Sequence, residues 1–258
     1  MTTRRQILQT ALAGTILGSA HAADAPVLGL ISPVAAPVPP EARTLYPSGV
    51  KFLTTDVGLA RMAPDAYDQV LDRIAPAAEQ LAGQGAQAIA LLGTSLSFYQ
   101  GAAFNRSLTE RISAATQRPA VTMSTAVVDG LRSVGGKKLI VATAYKDEVN
   151  RRLQTFLTEE GFEVQAIEGL GIEKMEDIDT VTHDGLLAFC VELFESAPGG
   201  DAMLVSCGGL RTLELLQPLE QRIGIPVVSS LPHALRAGVR LLGLKNRIDG
   251  YGKLLAMS

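Results

Sequence analysis

The sequence predicts an α/β protein made of two pseudo-symmetric, Rossmann-like halves, each with a mainly parallel sheet and with a cleft between them. Short runs rich in Val, Ile and Leu alternate with amphipathic segments from Val27 onward, as expected for strands that crossover helices bury on both faces. Residues 119–135 resemble residues 226–243, which indicates two like halves. Residues 89–95 and 203–209 are also alike, and each runs from an apolar stretch into a turn of small residues.

Strands are predicted where short apolar runs are bounded by turn-forming residues. In chain order they are residues 27–32, 50–54, 88–92, 120–123, 139–142, 163–167, 203–206 and 227–229. One long helix is predicted to follow Pro64, to bend at Pro76 and to end near Gly83. Further amphipathic faces occur at residues 104–112, 149–156 and 186–193.

Composition favours an ordinary globular protein with a small-molecule partner. The chain has 258 residues, 47% of them hydrophobic, and its two cysteines exclude a disulfide-stapled scaffold. Lys and Arg number 23 against 26 Asp and Glu, which gives no electrostatic reason to bind nucleic acid. No uninterrupted apolar stretch reaches the ~18 residues of a membrane span. We expect a monomer.

The first 22 residues are predicted to be an export signal. Arg4 and Arg5 precede a weakly apolar run at residues 10–19, and residues 20–22 form a small-x-small cleavage pattern. Adjacent arginines resemble the twin-arginine type of signal, which directs folded proteins to the periplasm. The remaining chain is expected to divide into a first half at 23–118, a second half at 119–228 and a segment at 229–258 that returns to the first half.

Ligands of parallel α/β sheets bind at the carboxyl ends of the strands, so the two small-residue turns are expected to line the site. In the second turn, Cys207 follows a buried strand and precedes Gly208 and Gly209. Successive unhindered N–H groups bind anions and influence the proton affinity of a nearby thiol. The alternative is that Cys207 is a small core residue. Cys190, on the apolar face of a helix, is predicted to be inert.

Neutral hydrogen-bond donors surround the same predicted cleft. Taken singly, each is a common turn or capping residue. Together they suit a negative charge that develops during a reaction, while the lack of Lys, Arg or a metal argues against phosphate substrates. The donors are the side chains of Thr94, Ser95, Ser97, Ser124, Thr125 and Tyr145.

Other chemistries lack their motifs. Residues 93–97 come close to a nucleophile elbow, but Ser97 stands where the tight turn needs Gly. His183 and His233 are predicted to be surface or structural residues, so no Ser-His-Asp triad is expected. No metal-ligand spacing occurs, and residues 169–174 lack the third Gly of a dinucleotide turn. We therefore expect neither a metal nor a cofactor.

Four blocks resemble the arylmalonate decarboxylases of the aspartate/glutamate racemase superfamily. They are residues 93–99, 122–127, 142–145 and 206–210, and the similarity covers nearly all of the chain after the signal. The resemblance implies two similar α/β halves around a cleft. It also implies cofactor-free loss of CO2 from a 2-aryl or 2-aryl-2-methyl malonate, whose retained carboxylate lies in a dioxyanion hole. The product would be one enantiomer of a monocarboxylate.

The resemblance assigns roles by position. Cys207 would protonate one face of the enediolate, and the departing carboxylate would face an apolar pocket. The dioxyanion hole would comprise Thr94, Ser95, Tyr145 and the N–H groups of Cys207, Gly208 and Gly209. The pocket would comprise Gly93, Pro33, Leu59, Met62, Tyr67, Ser124, Thr125, Met175 and Ile178. The sequence departs from the family at Met62, Met175 and Ile178, which align with Val, Val and Met, so the pocket volume stays open.

Two alternatives remain. Racemases and maleate isomerases of the superfamily use two facing cysteines, whereas here the first-half position is Gly93. A single thiol in the cleft favours decarboxylation or another one-acid reaction, and Gly93→Cys is expected to introduce racemase activity. The second alternative is a non-catalytic periplasmic receptor for a carboxylate, which would have no need of Cys207.

Overall fold

Two four-stranded parallel sheets form the frame of the described residues, 25–245 and 247–257, in this computed structural model. The first sheet has the order β2-β1-β3-β4 and contains β1 (Val27–Ser32), β2 (Lys51–Asp56), β3 (Ala88–Leu91) and β4 (Ala120–Thr122). The second has the order β6-β5-β7-β8 and contains β5 (Lys138–Thr143), β6 (Glu163–Gly169), β7 (Ala202–Ser206) and β8 (Val227–Ser229). The matching orders give the two like halves that the repeat predicts.

Helices join the parallel strands and cover the sheets. In chain order they are α1 (Pro40–Leu45), α2 (Pro64–Asp68), α3 (Leu71–Gly83), α4 (Thr94–Phe98), α5 (Gly101–Thr116), α6 (Met123–Ser133), α7 (Asp147–Glu159), α8 (His183–Ser196), α9 (Leu213–Ile223) and α10 (Ser230–Leu241). A short 3₁₀ helix spans Met175–Thr180. The predicted export signal lies outside the described residues. Within those residues, no helix has the length and apolar character needed to cross a membrane.

All eight predicted strands are present, because buried parallel strands have a strong local signature. The prediction of a single helix after Pro64 is wrong. The chain breaks between α2 and α3, where the Val70 N–H donates to the Tyr67 carbonyl at 3.1 Å and the turn buries both side chains. Pro76 lies inside α3 and does not mark the break.

The predicted boundary at residue 119 falls one strand too early. β4 pairs with β3 in the first sheet, so the first half extends through Thr122. The repeat at 119–135 and 226–243 begins with the last strand of each sheet, which is why its start does not coincide with the boundary between sheets. After β8, α10 packs on β3, β4 and α6, and the chain thereby returns to the first half.

This topology places two strand ends close together. β3 ends at Leu91 and leads through Gly93 into α4, while β7 ends at Ser206 and is followed by Cys207. β3 and β7 occupy the same place in their sheets, and every residue of both strands is buried. The rigid core therefore fixes the positions of both turns.

Candidate active site

A cavity of about 490 Å³ lies at the carboxyl ends of β3 and β7. Both halves contribute to it, as predicted for a cleft between like units. Its lining includes Pro33, Leu59, Met62, Gly93, Thr94 and Ser95 from the first half, and Tyr145, Met175, Cys207, Gly208 and Gly209 from the second. The site residues expected on the two turns thus face one space.

Cys207 is a buried thiol on a constrained turn. The residue is 4% exposed and has a φ of +156°, a backbone conformation that L-residues seldom adopt. Burial raises the pKa of the Cys207 thiol, and the amides of Gly209 and Leu210 and the hydroxyl of Tyr145 offset only part of that effect. Desolvation outweighs the influence of the N–H groups. The group is therefore protonated at neutral pH, as a proton donor must be.

Thr94 is the first residue of α4, and it lies on the part of the cavity wall that the first half contributes. Its Oγ1 is 2.9 Å from the Ser230 Oγ and 2.9 Å from the Met123 Sδ. Ser95 follows it and also lines the cavity. Both side chains are almost fully buried, so a hydrogen bond from either one to a bound anion would be shielded from water.

Tyr145 supplies a phenol from the second half. Burial raises the pKa of Tyr145 well above its ordinary value, and the nearby Cys207 acts in the same direction. Its Oη lies 3.4 Å from the Ser206 Oγ, and its ring makes an edge contact with Phe98 at 5.9 Å between centroids. Tyr145 is therefore a fixed donor that stays neutral.

Ser97, Ser124 and Thr125 do not line the cavity, so the prediction that they face it is wrong. The Ser124 hydroxyl donates to the Thr94 carbonyl at 3.0 Å, and the Ser97 hydroxyl donates to the Gly93 carbonyl at 2.8 Å. The Thr125 N–H donates to the Thr122 hydroxyl at the start of α6. These groups satisfy backbone and capping needs inside the protein, and Ser97 and Ser124 brace the turn that carries Thr94.

Tyr67 and Ile178 are also not lining residues, contrary to the prediction. Tyr67 is fully buried against Tyr99, with 5.0 Å between ring centroids. Ile178 packs behind the second turn: a Cβ at Gly209 would lie 3.0 Å from its Cδ1. Glycine at position 209 lets the turn approach Ile178 closely while its N–H groups remain unhindered.

Charged side chains occur at the rim of the cavity. Glu41, Asp179 and Arg211 are lining residues, and the Arg211 guanidinium lies 3.6 Å from the Asp179 carboxylate. Both partners are largely exposed, so water screens this pair. Around the thiol, Thr94, Ser95 and Tyr145 provide neutral donors instead.

The two histidines of the described residues, His183 and His233, do not line this cavity. His183 is exposed at the start of α8. His233 is buried, and burial lowers its pKa to about 4, so it is neutral at physiological pH. The Ser229 N–H donates to its Nδ1 at 2.8 Å, which is a structural role. Among the described residues, no group of three or more His, Cys, Asp and Glu side chains is arranged to hold a metal ion.

Sequence reasoning missed Ser230 and Met123, which flank Thr94. They occupy equivalent places in the internal repeat, since each is the first residue of the helix after the last strand of its sheet. The repeat was the available signal: residues that follow the carboxyl end of a parallel strand lie near the ligand edge of the sheet.

Two like parallel α/β halves share a cleft that the thiol of Cys207 faces from the end of β7, and this fold is the one found in arylmalonate decarboxylases and maleate isomerases. The model of the arylmalonate decarboxylase family matches residues 28–255. This chain belongs to that family.

Individual relatives agree with this assignment. The chain is 45% identical over 238 residues to arylmalonate decarboxylase of Bordetella bronchiseptica, covering 90% of this chain and 97% of that protein. A solved structure of unliganded arylmalonate decarboxylase has a TM-score of 0.81 at 43% identity, covering 89% of this chain and 98% of its own. Maleate cis-trans isomerase of Nocardia farcinica shares the fold, with a TM-score of 0.83 at 18% identity over 90% of this chain and 98% of its own.

Proposed function

We propose that this protein is a cofactor-independent carboxy-lyase that converts 2-aryl malonates to arylacetates and 2-aryl-2-methyl malonates to one enantiomer of a chiral monocarboxylate. The observation that carries the proposal is the buried thiol of Cys207, which faces one cavity together with the neutral donors Thr94, Ser95 and Tyr145. Membership of the arylmalonate decarboxylase family supports the same reaction.

Negative charge develops on the substrate before the acid transfers its proton, and the site has to stabilise that charge. As the bond from the α-carbon to one carboxylate breaks, CO2 leaves and the electron pair passes to the retained carboxylate as an enediolate. Donors from Thr94, Ser95 and Tyr145 stabilise that charge, and each well-placed donor is worth about 3 kcal/mol of barrier. Cys207 then gives its proton to the α-carbon, and the thiolate takes a proton from water.

An apolar wall suits the departing group. Leu59, Met62 and Met175 line the cavity together with Pro33. The Met62 Sδ lies 4.0 Å from the Cys207 Sγ, so this wall adjoins the acid. A carboxylate that faces it has no hydrogen-bond donor to hold its charge, whereas neutral CO2 needs none.

The pH dependence follows from the raised thiol pKa. Cys207 works as an acid only while it is protonated, and burial moves its pKa above the ordinary value. We expect kcat for phenylmalonate to stay level from about pH 7 to about pH 8.5, the ordinary thiol value, and to fall only as the pH rises further. Initial rates across that range test this, and a midpoint below about pH 8 would mean that the thiol is not the acid.

Gly93→Cys is expected to introduce racemase activity toward 2-arylpropionates. The change puts a second thiol on the first-half turn, so that one face can be deprotonated and the other reprotonated. Gly93 has a φ of −141°, which any residue adopts, and the three atoms nearest to a Cβ there belong to the side chains of Leu96 and Pro33, at 3.1 to 3.6 Å, so Leu96 has to shift by a few tenths of an ångström. Loss of optical activity from a single enantiomer measures the effect. A folded variant with no racemisation would contradict this placement of the cleft.

Release of CO2 from a panel of aryl- and alkylmalonates, with chiral analysis of the product, tests the proposed function. Turnover of the arylmalonates is the expected result. A protein that binds these acids and returns them unchanged after hours would instead be a non-catalytic carboxylate receptor. Interconversion of the enantiomers of a 2-arylpropionate, with no CO2 released from any malonate, would identify a racemase.

Export to the periplasm is part of the proposal. It is supported by Arg4 and Arg5, the weakly apolar run at 10–19 and the small-x-small pattern at 20–22. Fractionation of producing cells, with sequencing of the mature N-terminus, tests it. Full-length protein confined to the cytoplasm would contradict it.

A further inference from the structure

Ser230 lies between the two turns that form the candidate site. It is the first residue of α10, the helix that returns to the first half, and it is fully buried. The Cys207 N–H donates to its Oγ at 3.2 Å, and the Thr94 Oγ1 donates to the same oxygen at 2.9 Å. The Ser230 hydroxyl therefore connects the backbone of Cys207, the proposed acid, to Thr94, which is proposed to donate a hydrogen bond to the substrate carboxylate from the other half.

This arrangement changes the role expected of the Cys207 amide. The resemblance assigns its N–H to the dioxyanion hole, but in the structure this N–H is directed at Ser230. An amide that already donates to a hydroxyl acts on a bound anion most directly through that hydroxyl. Hydroxyl hydrogens rotate freely, so the direction of the bond between Thr94 and Ser230 can reverse when an anion binds.

Resting on the proposed function, we propose that Ser230 is a positioning residue that relays the Cys207 N–H to the substrate. When the retained carboxylate binds, the Thr94 hydroxyl turns to donate to it, and Ser230 donates to the Thr94 oxygen in its place. The chain then runs from the Cys207 N–H through Ser230 and Thr94 to the carboxylate. Each bond polarises the next, so the chain strengthens as charge grows on the enediolate.

The pseudo-symmetric counterpart of Ser230 cannot take over this role. Met123 occupies the equivalent place after β4, and its Sδ is 2.9 Å from the Thr94 Oγ1. A thioether accepts weakly and has no proton to donate. When the Thr94 hydroxyl donates its hydrogen bond to a substrate, its oxygen can therefore accept one from Ser230 but not from Met123.

Ser230→Ala tests the relay, and Ser229→Ala is its matched control. Ser229 is the adjacent residue, is equally buried, and its Oγ has no hydrogen-bond partner in the described part of the chain. We expect S230A to lower kcat for phenylmalonate about tenfold while KM changes by less than about twofold, because the relay strengthens mainly in the transition state. S229A is expected to match the parent protein in both constants.

A double-mutant cycle separates the relay from general loss of packing. In a Thr94→Val background the chain to the substrate is already cut, so adding S230A is expected to change kcat by less than about twofold. If the two substitutions instead lowered kcat independently, so that the two fold-losses multiplied in the double mutant, the relay would be overturned. The conservative variant S230T, which keeps the hydroxyl, is expected to retain kcat within about threefold of the parent, and it keeps the test available if S230A does not fold.

The two proposals fail in different ways. If the parent protein releases no CO2 from any arylmalonate, the proposed function is wrong and the relay falls with it. If the parent is active but S230A and S229A behave alike, only the relay is wrong.

Discussion

Replacing Cys207 by Ser is expected to lower kcat for phenylmalonate by about 10²- to 10⁴-fold, the range that a positioned general acid contributes. A hydroxyl is a far weaker acid than a thiol, and the site is buried, so water does not readily replace the lost proton donor. The substitution leaves every other side chain that lines the cavity in place. Steady-state CO2 release with parent and variant at equal concentration measures the effect.

Cys190→Ser is the matched control. Cys190 lies on α8, is fully buried, and is not among the residues that line the cavity. Burial raises its pKa to about 12, so both thiols are protonated and only their positions differ. Burying a hydroxyl there costs about 1–3 kcal/mol of stability, so rates are compared per folded molecule. Equal losses in the two variants would show that Cys207 has no special role.

Thr94→Val is expected to lower kcat by about 10²- to 10³-fold, the cost of removing one donor from an oxyanion hole. Valine has nearly the same shape as threonine, so the packing of α4 is kept while the hydroxyl is lost. Because charge builds up on the retained carboxylate as CO2 leaves, most of the loss is expected in kcat rather than in KM. Initial rates measured over a range of phenylmalonate concentrations give kcat and KM separately.

Thr125→Val is the control for this substitution. The Thr125 hydroxyl bonds to Asn105 at 2.9 Å and to Thr122 at 3.0 Å, and the residue does not line the cavity. Its loss should lower thermal stability and leave kcat nearly unchanged. A Thr94→Val variant with a raised KM and an unaltered kcat would mean that Thr94 binds substrate without stabilising the transition state.

Sequence reasoning predicted the fold well because its signals are local. The apolar runs that become β3 and β7 are visible without knowledge of neighbouring elements, and parallel sheets then place their carboxyl ends at one edge. The break at Gln69 and Val70 was missed because it arises from tertiary burial of Tyr67. The start of the second half was misplaced because sheet pairing of β4 is not encoded in the repeat itself.

The site was predictable only in part. Residues directly after β3 and β7, such as Thr94 and Cys207, follow from topology. Whether a hydroxyl faces the cleft or caps a helix depends on three-dimensional contacts, so Ser124 and Thr125 were misassigned. Ser230 was missed because α10 reaches the site from a distant part of the chain. The raised pKa of Cys207 also depends on burial by both halves, which no local pattern reports.

Cys207 is expected to protonate one face of an enediolate, with no second acid or base acting on the opposite face. Turnover of 2-methyl-2-phenylmalonate in D2O, followed by chiral and isotopic analysis, tests this most directly. We expect one enantiomer of 2-phenylpropionate with a single deuterium at the α-carbon, and no exchange when unlabelled product is returned to the enzyme in D2O. Racemic product, or deuterium entering that returned product, would contradict the claim.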